Sequence, residues 1–143
     1  MASCSNSAGR LHILRQSNSR GRLRFLHRSP PSDNLAQGTS CFSETPYELR
    51  KWQHVAAVKD GAQMRLCVDG RLVATGDDST ALPAGLHLII GQLDQSRTDR
   101  RFVGQIDELT VYARAVTAEE IRRRYDIIRA GPPETPRVAP RSI

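Results

Sequence analysis

The sequence predicts an all-β fold, an antiparallel sandwich followed by one short helix near the C-terminus. Short apolar segments alternate with turn-rich segments along most of the 143 residues. Two Asp-Gly pairs, at 60–61 and 69–70, are flanked by alternating apolar residues, as tight hairpin turns require. The one clear helix-start signal comes late, at Thr117. Many short strands and a single late helix are typical of a β-sandwich.

Residues 52–76 are predicted to form a three-stranded meander at the centre of one sheet. With the first Asp-Gly pair as a turn, Val55 lies opposite Leu66. With the second pair as a turn, Leu66 lies opposite Val73. Both hairpins place the same residues on one face, whereas a slip of one residue would scatter them over two faces. The predicted inner face carries Val55, Ala57, Met64, Leu66, Val68 and Val73.

The opposite face of this meander is too apolar to be plain solvent surface, so we expect another part of the fold to cover it. This face carries Trp52, His54, Ala56, Cys67 and Leu72.

The remaining strands are expected on either side of the meander, joined by polar loops. Their predicted ranges are 11–15 and 21–28, which form a hairpin, then 41–43, 86–91 and 102–114. Segment 86–91 is apolar enough to be buried on both faces. The predicted domain is 11–130, with residues 1–10 disordered and 131–143 a disordered Pro-rich tail.

The helix is predicted from its capping signals. Thr117 and Glu120 form a capping box, and Ile121, Tyr125 and Ile128 follow a helical spacing that would face the sheet. Gly131 ends the helix.

Composition excludes several classes of function. Arginine supplies 19 of the 21 basic residues, and the net charge of +6 is interpreted as a solvated surface, with no nucleic-acid partner expected. Three cysteines without CxxC spacing argue against structural zinc or a disulfide framework. No signal peptide and no membrane-spanning segment are predicted, and the sequence alone defines no compartment.

Several spaced motifs resemble one known family in the same order. They are Trp52-x-His54-Val55-Ala56, Met64–Gly70, Ile90-Gly91, Phe102-x-Gly104-x-Ile106-Asp107-Glu108 and Val111–Ile121. Over about residues 10–129 they resemble the laminin-G-like domains of the concanavalin A-like lectin/glucanase family, in the form found in bacterial surface proteins. The resemblance implies a jelly roll and an extracellular or cell-surface context.

The sequence offers fewer strands than the family's sandwich, and the family's opening strands have no predicted counterpart in it. We therefore expect a partial jelly roll with an exposed sheet edge. Exposed edges pair readily, so edge-strand self-association or local compensation is predicted.

Catalysis is not expected. Glucanases of this fold carry a Glu-x-Asp-x-x-Glu motif, because one carboxylate acts as nucleophile and another as acid. Here the run begins at Gln105 and ends at Thr110, so both glutamates are absent. Asp107 is interpreted as structural, accepting hydrogen bonds from nearby backbone N–H groups.

The resemblance implies a non-catalytic module that binds carbohydrate or protein through the loops at 29–39, 76–85 and 92–101. The alternatives are a structural spacer and, less favoured, a glycoside hydrolase. Related modules often bind calcium through Asp side chains, although turn-forming Asp is the simpler interpretation here. The calcium candidates are Asp77, Asp78, Asp94 and Asp99, and the candidates for contacting acidic sugars are Arg97, Arg100 and Arg101.

Overall fold

The computed structural model describes residues 2–5, 10–16, 21–29, 37–82, 87–91 and 102–131. These residues contain eight strands and one helix. In chain order they are β1 (Ala2–Ser5), β2 (Arg10–Gln16), β3 (Arg22–Arg28), β4 (Thr39–Pro46), β5 (Val55–Asp60), β6 (Gln63–Val68), β7 (Arg71–Asp77), β8 (His87–Ile90) and α1 (Ala118–Ala130).

Two antiparallel sheets of unequal size form the sandwich. The larger sheet has the order β4-β3-β2-β1-β8, and the smaller has the order β5-β6-β7. Phe25 and Cys41 from the larger sheet pack against Met64 and Leu66 from the smaller one, and all four are buried. This cluster is the main core, as the predicted all-β sandwich requires.

The predicted meander is confirmed, with a shift in its first register. Val55 lies opposite Val68 and not Leu66, because the turn begins at Gly61 and Asp60 remains in the strand. Of these two residues only Gly61 has a left-handed φ, at +53°. The shift is by two residues, so each side chain keeps its predicted face.

The second turn has the predicted conformation. Asp69 and Gly70 have φ values of +49° and +73°, and Val68 lies opposite Arg71. A β-bulge follows, so Leu66 lies opposite Ala74 and not Val73. Both Val73 and Ala74 pack against the main core, because the extra residue bends β7 towards the larger sheet.

The outer face of the meander is partly covered, as its composition predicts. Val58 and Cys67 are buried there against Ile121, the first apolar residue of α1 to reach the sheet. Ala115 and Val116 pack beside them. Trp52 and Leu72 remain exposed, at 63% and 55%.

The predicted hairpin of β2 and β3 and the strand around Cys41 are confirmed, and β4 extends further than predicted. Residues 1–10, predicted to be disordered, include β1, which pairs with both β2 and β8. Its small polar sequence gives no apolar alternation, so the strand depends on its two neighbours.

Strand β8 is not buried on both faces, contrary to the prediction. Leu88 and Ile90 are 43% and 48% exposed, and among the described strands its neighbour is β1. Apolar composition alone does not determine whether both faces of a strand are covered.

The strand predicted at 102–114 is wrong. In the structure this segment is irregular, and Val103 and Val111 are 95% and 70% exposed. Gly104 and Glu108 have φ values of +154° and +51°, which interrupt an extended backbone. The alternation that predicted a strand is present, but the described residues contain no strand beside it to pair with.

Both ends of α1 follow the prediction. The Thr117 hydroxyl accepts from Glu120 N–H at 3.1 Å, and the Glu120 carboxylate accepts from Thr117 N–H at 2.8 Å. Side-chain bonding to Arg114, with the Thr117 bond, lowers the pKa of Glu120 to about 2. At the other end Gly131 N–H donates to the Ile128 carbonyl with φ +72°. Ile121 is buried, whereas Ile128 is exposed, so the predicted stripe contacts the sheet only through its first half.

A substitution at Gly70 tests how closely α1 packs against the Asp69-Gly70 turn. A Cβ at Gly70 would lie 2.8 Å from Arg122 Cδ and 3.2 Å from Tyr125 Cβ, whereas one at Gly61 would meet nothing within 4 Å. Both glycines have positive φ, so each Gly→Ala change should cost roughly 1–2 kcal/mol of strain. We expect Gly70→Ala to cost about 1–2 kcal/mol more, because the added methyl overpacks the helix contact. Urea unfolding followed by Trp52 fluorescence measures both. Equal losses of unfolding free energy in the two variants would show that α1 does not crowd this turn.

Candidate binding groove

An open groove of about 360 Å³ lies at one end of the sandwich, where the Asp69-Gly70 turn meets α1 and the chain that follows β4. Its lining combines aromatic, charged and apolar side chains. The residues are Leu23, Ser43, Thr45, Pro46, Tyr47, Glu48, Gln53, Val68, Asp69, Arg71, Val73, Arg122, Tyr125 and Arg129.

Tyr125 forms the helix side of the groove. Its ring and Cβ approach Gly70, and its ring centroid lies 6.2 Å from that of His54. The Arg122 guanidinium lies 5.8 Å from the same ring, and its Nε is 3.2 Å from Asp126. Tyr125 is half-buried. Its orientation is therefore fixed by a turn, a histidine and an arginine before any ligand is present.

Tyr47 forms part of the opposite side. Its backbone N–H donates to the Gly21 carbonyl at 3.1 Å, which ties the end of β4 to the start of β3. The next residue, Glu48, donates its backbone N–H to Gln53 Oε1 at 3.0 Å and pairs with Lys51 at 2.8 Å. These bonds brace the segment that carries Tyr47.

Asp69 joins the turn to the strand that precedes it. Its Oδ1 accepts from His54 N–H at 3.0 Å, and its own N–H donates to the His54 carbonyl at 2.8 Å. Burial lowers the pKa of His54, and the charge of Arg124 lowers it further against the opposing effect of Asp69. The His54 ring is therefore neutral at physiological pH. It lies beside the Asp69 carboxylate, whose other oxygen is left for the groove.

Three arginines give the groove positive potential. Arg71, Arg122 and Arg129 are all exposed, and Arg71 and Arg129 form no ion pair with any described residue. A guanidinium offers several donors in one plane. The two tyrosine rings can stack against a ring-shaped or extended ligand, and the arginines can donate hydrogen bonds along its length.

The loops predicted to bind ligand lie partly at the other end of the sandwich. Thr39 Oγ1 donates to the Asp77 carbonyl at 3.4 Å, so the segments that follow β3 and β7 meet there. The Asp69-Gly70 turn connects the opposite ends of β6 and β7. The sequence does not predict the groove. Tyr47 belongs to no recognisable pattern, and the spacing of Tyr125 predicts only a place in the apolar stripe of α1.

Asp78 is a buried structural group at that other end. Its Oδ2 lies 2.6 Å from His27 Nδ1, and its Oδ1 accepts from Thr80 N–H at 2.8 Å. Its own N–H donates to the Ala62 carbonyl at 2.7 Å. Lys59 Nζ donates to the Asp78 carbonyl as well. One residue thereby connects β3, the first hairpin turn and the end of β7.

The other predicted site residues differ in position. Asp77 is exposed beside Asp78. Asp94, Asp99, Arg97, Arg100 and Arg101 lie outside the described residues. Within the part of the chain that the structure describes, no group of three or more His, Cys, Asp or Glu side chains could hold a metal ion.

Asp107 accepts a backbone hydrogen bond of the kind predicted for it. Its Oδ1 accepts from the N–H of Glu108 at 2.8 Å, at the point where Glu108 takes its left-handed φ. Both residues are exposed and stand outside any strand.

A family model agrees with the fold. The family model Laminin G 3, described as the concanavalin A-like lectin/glucanases superfamily, matches residues 1–122. A crystal structure of an S-layer domain-containing protein from Clostridium thermocellum ATCC 27405, residues 221–444, is similar with a TM-score of 0.49 and 20% identity. The match covers 84% of this chain and 58% of that one, so the chain spans less than two thirds of that structure. No curated protein matches the chain. Among the described helical residues there is no segment long and apolar enough to cross a membrane.

Asp78 makes the stability of the fold depend on pH in the acid range. Burial alone would raise the pKa of Asp78, but hydrogen bonds from Thr80 and His27 outweigh it and hold the pKa below 3.8. A carboxylate with a depressed pKa stabilises the fold above its ordinary pKa, and that contribution is lost as the pH falls through the folded-state pKa. We expect Asp78→Asn to lose roughly 1–3 kcal/mol at neutral pH.

The difference between wild type and Asp78→Asn should shrink as the pH falls below 3.8, because protonation then removes the same charge from the wild type. Urea unfolding at several pH values measures it. Asp77→Asn, at the exposed neighbouring position, is the control and should behave as wild type. A difference in unfolding free energy between wild type and Asp78→Asn that is the same at every pH would mean that the charge of Asp78 does not contribute.

Proposed function

Because the chain belongs to the concanavalin A-like lectin/glucanases superfamily, we propose that it is a non-catalytic binding module. The ligand site is the groove between Tyr47 and Tyr125. The observation that carries this proposal is the composition of the groove: two aromatic side chains, with arginine donors and carboxylate acceptors around them.

The ligand class that suits this groove best is carbohydrate. A sugar ring has apolar C–H faces, which stack on tyrosine, and hydroxyl groups, which need donors and acceptors at the edge of the same ring. Asp69 offers an acceptor, and Arg71 and Arg129 offer donors that form no ion pair with another described residue. An excess of arginine favours sugars that carry carboxylate or sulfate groups. A protein ligand is the second candidate, since exposed tyrosine and arginine are also common at protein interfaces.

The loop candidates form a second part of the proposal. Arg97, Arg100 and Arg101 would contact acidic groups on a long ligand, and calcium would bind through Asp77, Asp94 and Asp99. Carboxylate oxygen is the ligand that calcium prefers. Asp78 fits this role poorly, because each of its carboxylate oxygens already has a protein partner.

Two other functions compete with binding. A structural spacer would share the fold but leave the groove empty. A glycoside hydrolase on the same fold needs two carboxylates flanking the bond, and the run from Gln105 to Thr110 supplies only Asp107 and Glu108. The binding module is favoured because the spacer gives no reason for aromatic and charged groups to converge on one depression. The family to which the chain belongs supports a location outside the cell or on its surface.

The proposal is tested by titrating the chain with a panel of neutral and uronic-acid oligosaccharides and following amide NMR shifts. We expect shifts at Tyr47, Asp69 and Tyr125 for at least one member. Arg71→Ala should weaken that binding about tenfold, because a hydrogen bond from a charged donor contributes on the order of 1.5 kcal/mol. The matched control is Arg123→Ala, which removes an exposed helix arginine that does not line the groove.

Each result separates the candidates. Shifts confined to residues 76–82 and dependent on added calcium would move the site to the predicted loops. Equal weakening by Arg71→Ala and Arg123→Ala would indicate diffuse attraction to positive charge. No shift with any oligosaccharide would favour the spacer, and hydrolysis of a sugar that Asp107→Asn abolishes would establish the enzyme.

A further inference from the structure

The turn between β4 and β5 presents two large apolar side chains to solvent. Leu49 is 76% exposed and Trp52 is 63% exposed, and all residues from 48 to 52 are exposed. Single apolar residues scattered over a surface are ordinary, but two of this size in one short turn form a compact apolar feature. We call residues 48–52 the β4–β5 tip.

Hydrogen bonds hold the tip in one conformation. Glu48 N–H donates to Gln53 Oε1 at 3.0 Å across the turn, and Lys51 Nζ donates to the Glu48 carboxylate at 2.8 Å. Between them Arg50 has a φ of +58°, a left-handed conformation that is uncommon outside Gly, Asn and Asp. Such backbone persists where surrounding contacts maintain it, and it is frequent in functional loops. The exposed apolar side chains are therefore carried by an ordered turn.

Positive charge surrounds the tip. Arg50 forms no ion pair with any described residue. The tip adjoins the groove, because Glu48 belongs to both. The positive side chains of the tip and groove are Arg50, Lys51, Arg71, Arg122 and Arg129, and the negative ones are Glu48, Asp69 and the Arg122 partner Asp126. This end of the sandwich therefore favours a negatively charged partner.

The apolar area of the tip suits a lipid surface better than a protein. An aromatic side chain covers about 150–250 Å² and leucine less, so the tip offers under about 500 Å². A standard protein interface needs about 800 Å² per partner. A bilayer makes no such demand, because single apolar side chains can enter the boundary between head groups and acyl chains. Tryptophan is enriched at that boundary, and basic residues beside it are attracted to anionic lipids.

We infer that the β4–β5 tip is a membrane-binding element whose partner is a bilayer surface containing anionic phospholipid. Leu49 and Trp52 enter the interfacial region, and Arg50 and Lys51 contact lipid phosphates. Membrane binding through the tip does not require a ligand in the groove, because neither Leu49 nor Trp52 lines it.

The test measures binding of the full 143-residue chain to vesicles of phosphatidylcholine alone and of phosphatidylcholine with phosphatidylglycerol. Co-sedimentation gives the partition coefficient. Trp52 is the only tryptophan of the chain, so its emission reports whether the tip leaves water. We expect binding to the vesicles with phosphatidylglycerol and a shift of Trp52 emission to shorter wavelength. Added salt should weaken the binding, because it screens surface charges.

Two variants separate the apolar and charged contributions. Leu49→Asp should lower the partition coefficient at least about tenfold, because the burial of one leucine in the bilayer is lost. The matched control is Leu82→Asp, which makes the same change at an exposed leucine in the segment that follows β7 and should have a much smaller effect. Arg50→Asn removes a charge while keeping a residue that tolerates the left-handed φ. It should weaken binding to the anionic vesicles about fivefold.

Four results would overturn the inference. The first is no binding to either kind of vesicle, and the second is equal weakening by Leu49→Asp and Leu82→Asp, which would indicate diffuse attraction to charge. Vesicle binding without a change in Trp52 emission would place lipid head groups in the groove. An emission shift that depends on protein concentration without vesicles would identify a protein contact at the tip. Urea unfolding checks that each variant is folded, and Arg50→Asn keeps the test decisive if Leu49→Asp is not.

Discussion

Strand β6 is buried on both faces, and the rest of the structure depends on that constraint. Met64 and Leu66 point inwards and are fully buried against Phe25 and Cys41, and Cys67 points outwards and is buried against Ile121. A central strand with two apolar faces needs a layer on each side. The larger sheet supplies one layer and the start of α1 supplies the other. The helix is therefore part of the sandwich and not an appendage to it.

Seating α1 on the meander also creates the groove. Ile121 fixes the helix over Cys67, and the next residue, Arg122, and Tyr125, one turn later, lie against Gly70. A glycine is needed there because the turn requires a positive φ and because the helix leaves no space for a side chain. The same turn carries Asp69, whose carboxylate holds His54 in place. A packing requirement at the core thus positions an aromatic ring, an arginine and a carboxylate at the surface.

Sequence reasoning succeeded where a periodic pattern and a local signal agreed. The faces of the meander and the capping box of α1 follow from alternation, turn chemistry and spacing, all of which act over a few residues. It failed where pairing depends on distant strands. Strand β1 has no pattern of its own, and segment 102–114 has the pattern, but the described part of the chain contains no strand beside it. The groove could not be predicted, because Tyr47 and Tyr125 are 78 positions apart and meet only through the packing of α1 on Gly70.

The groove and the buried Asp78 lie at opposite ends of the meander. The groove is built from the end of β4, the β6–β7 turn and α1, whereas Asp78 connects β3, the first hairpin turn and the end of β7. Removing the charge of Asp78 therefore changes none of the polar and aromatic groups that line the groove. Stability and ligand binding are separable properties of this fold, and a variant at Asp78 that loses both would show that the two ends are coupled through the strands between them.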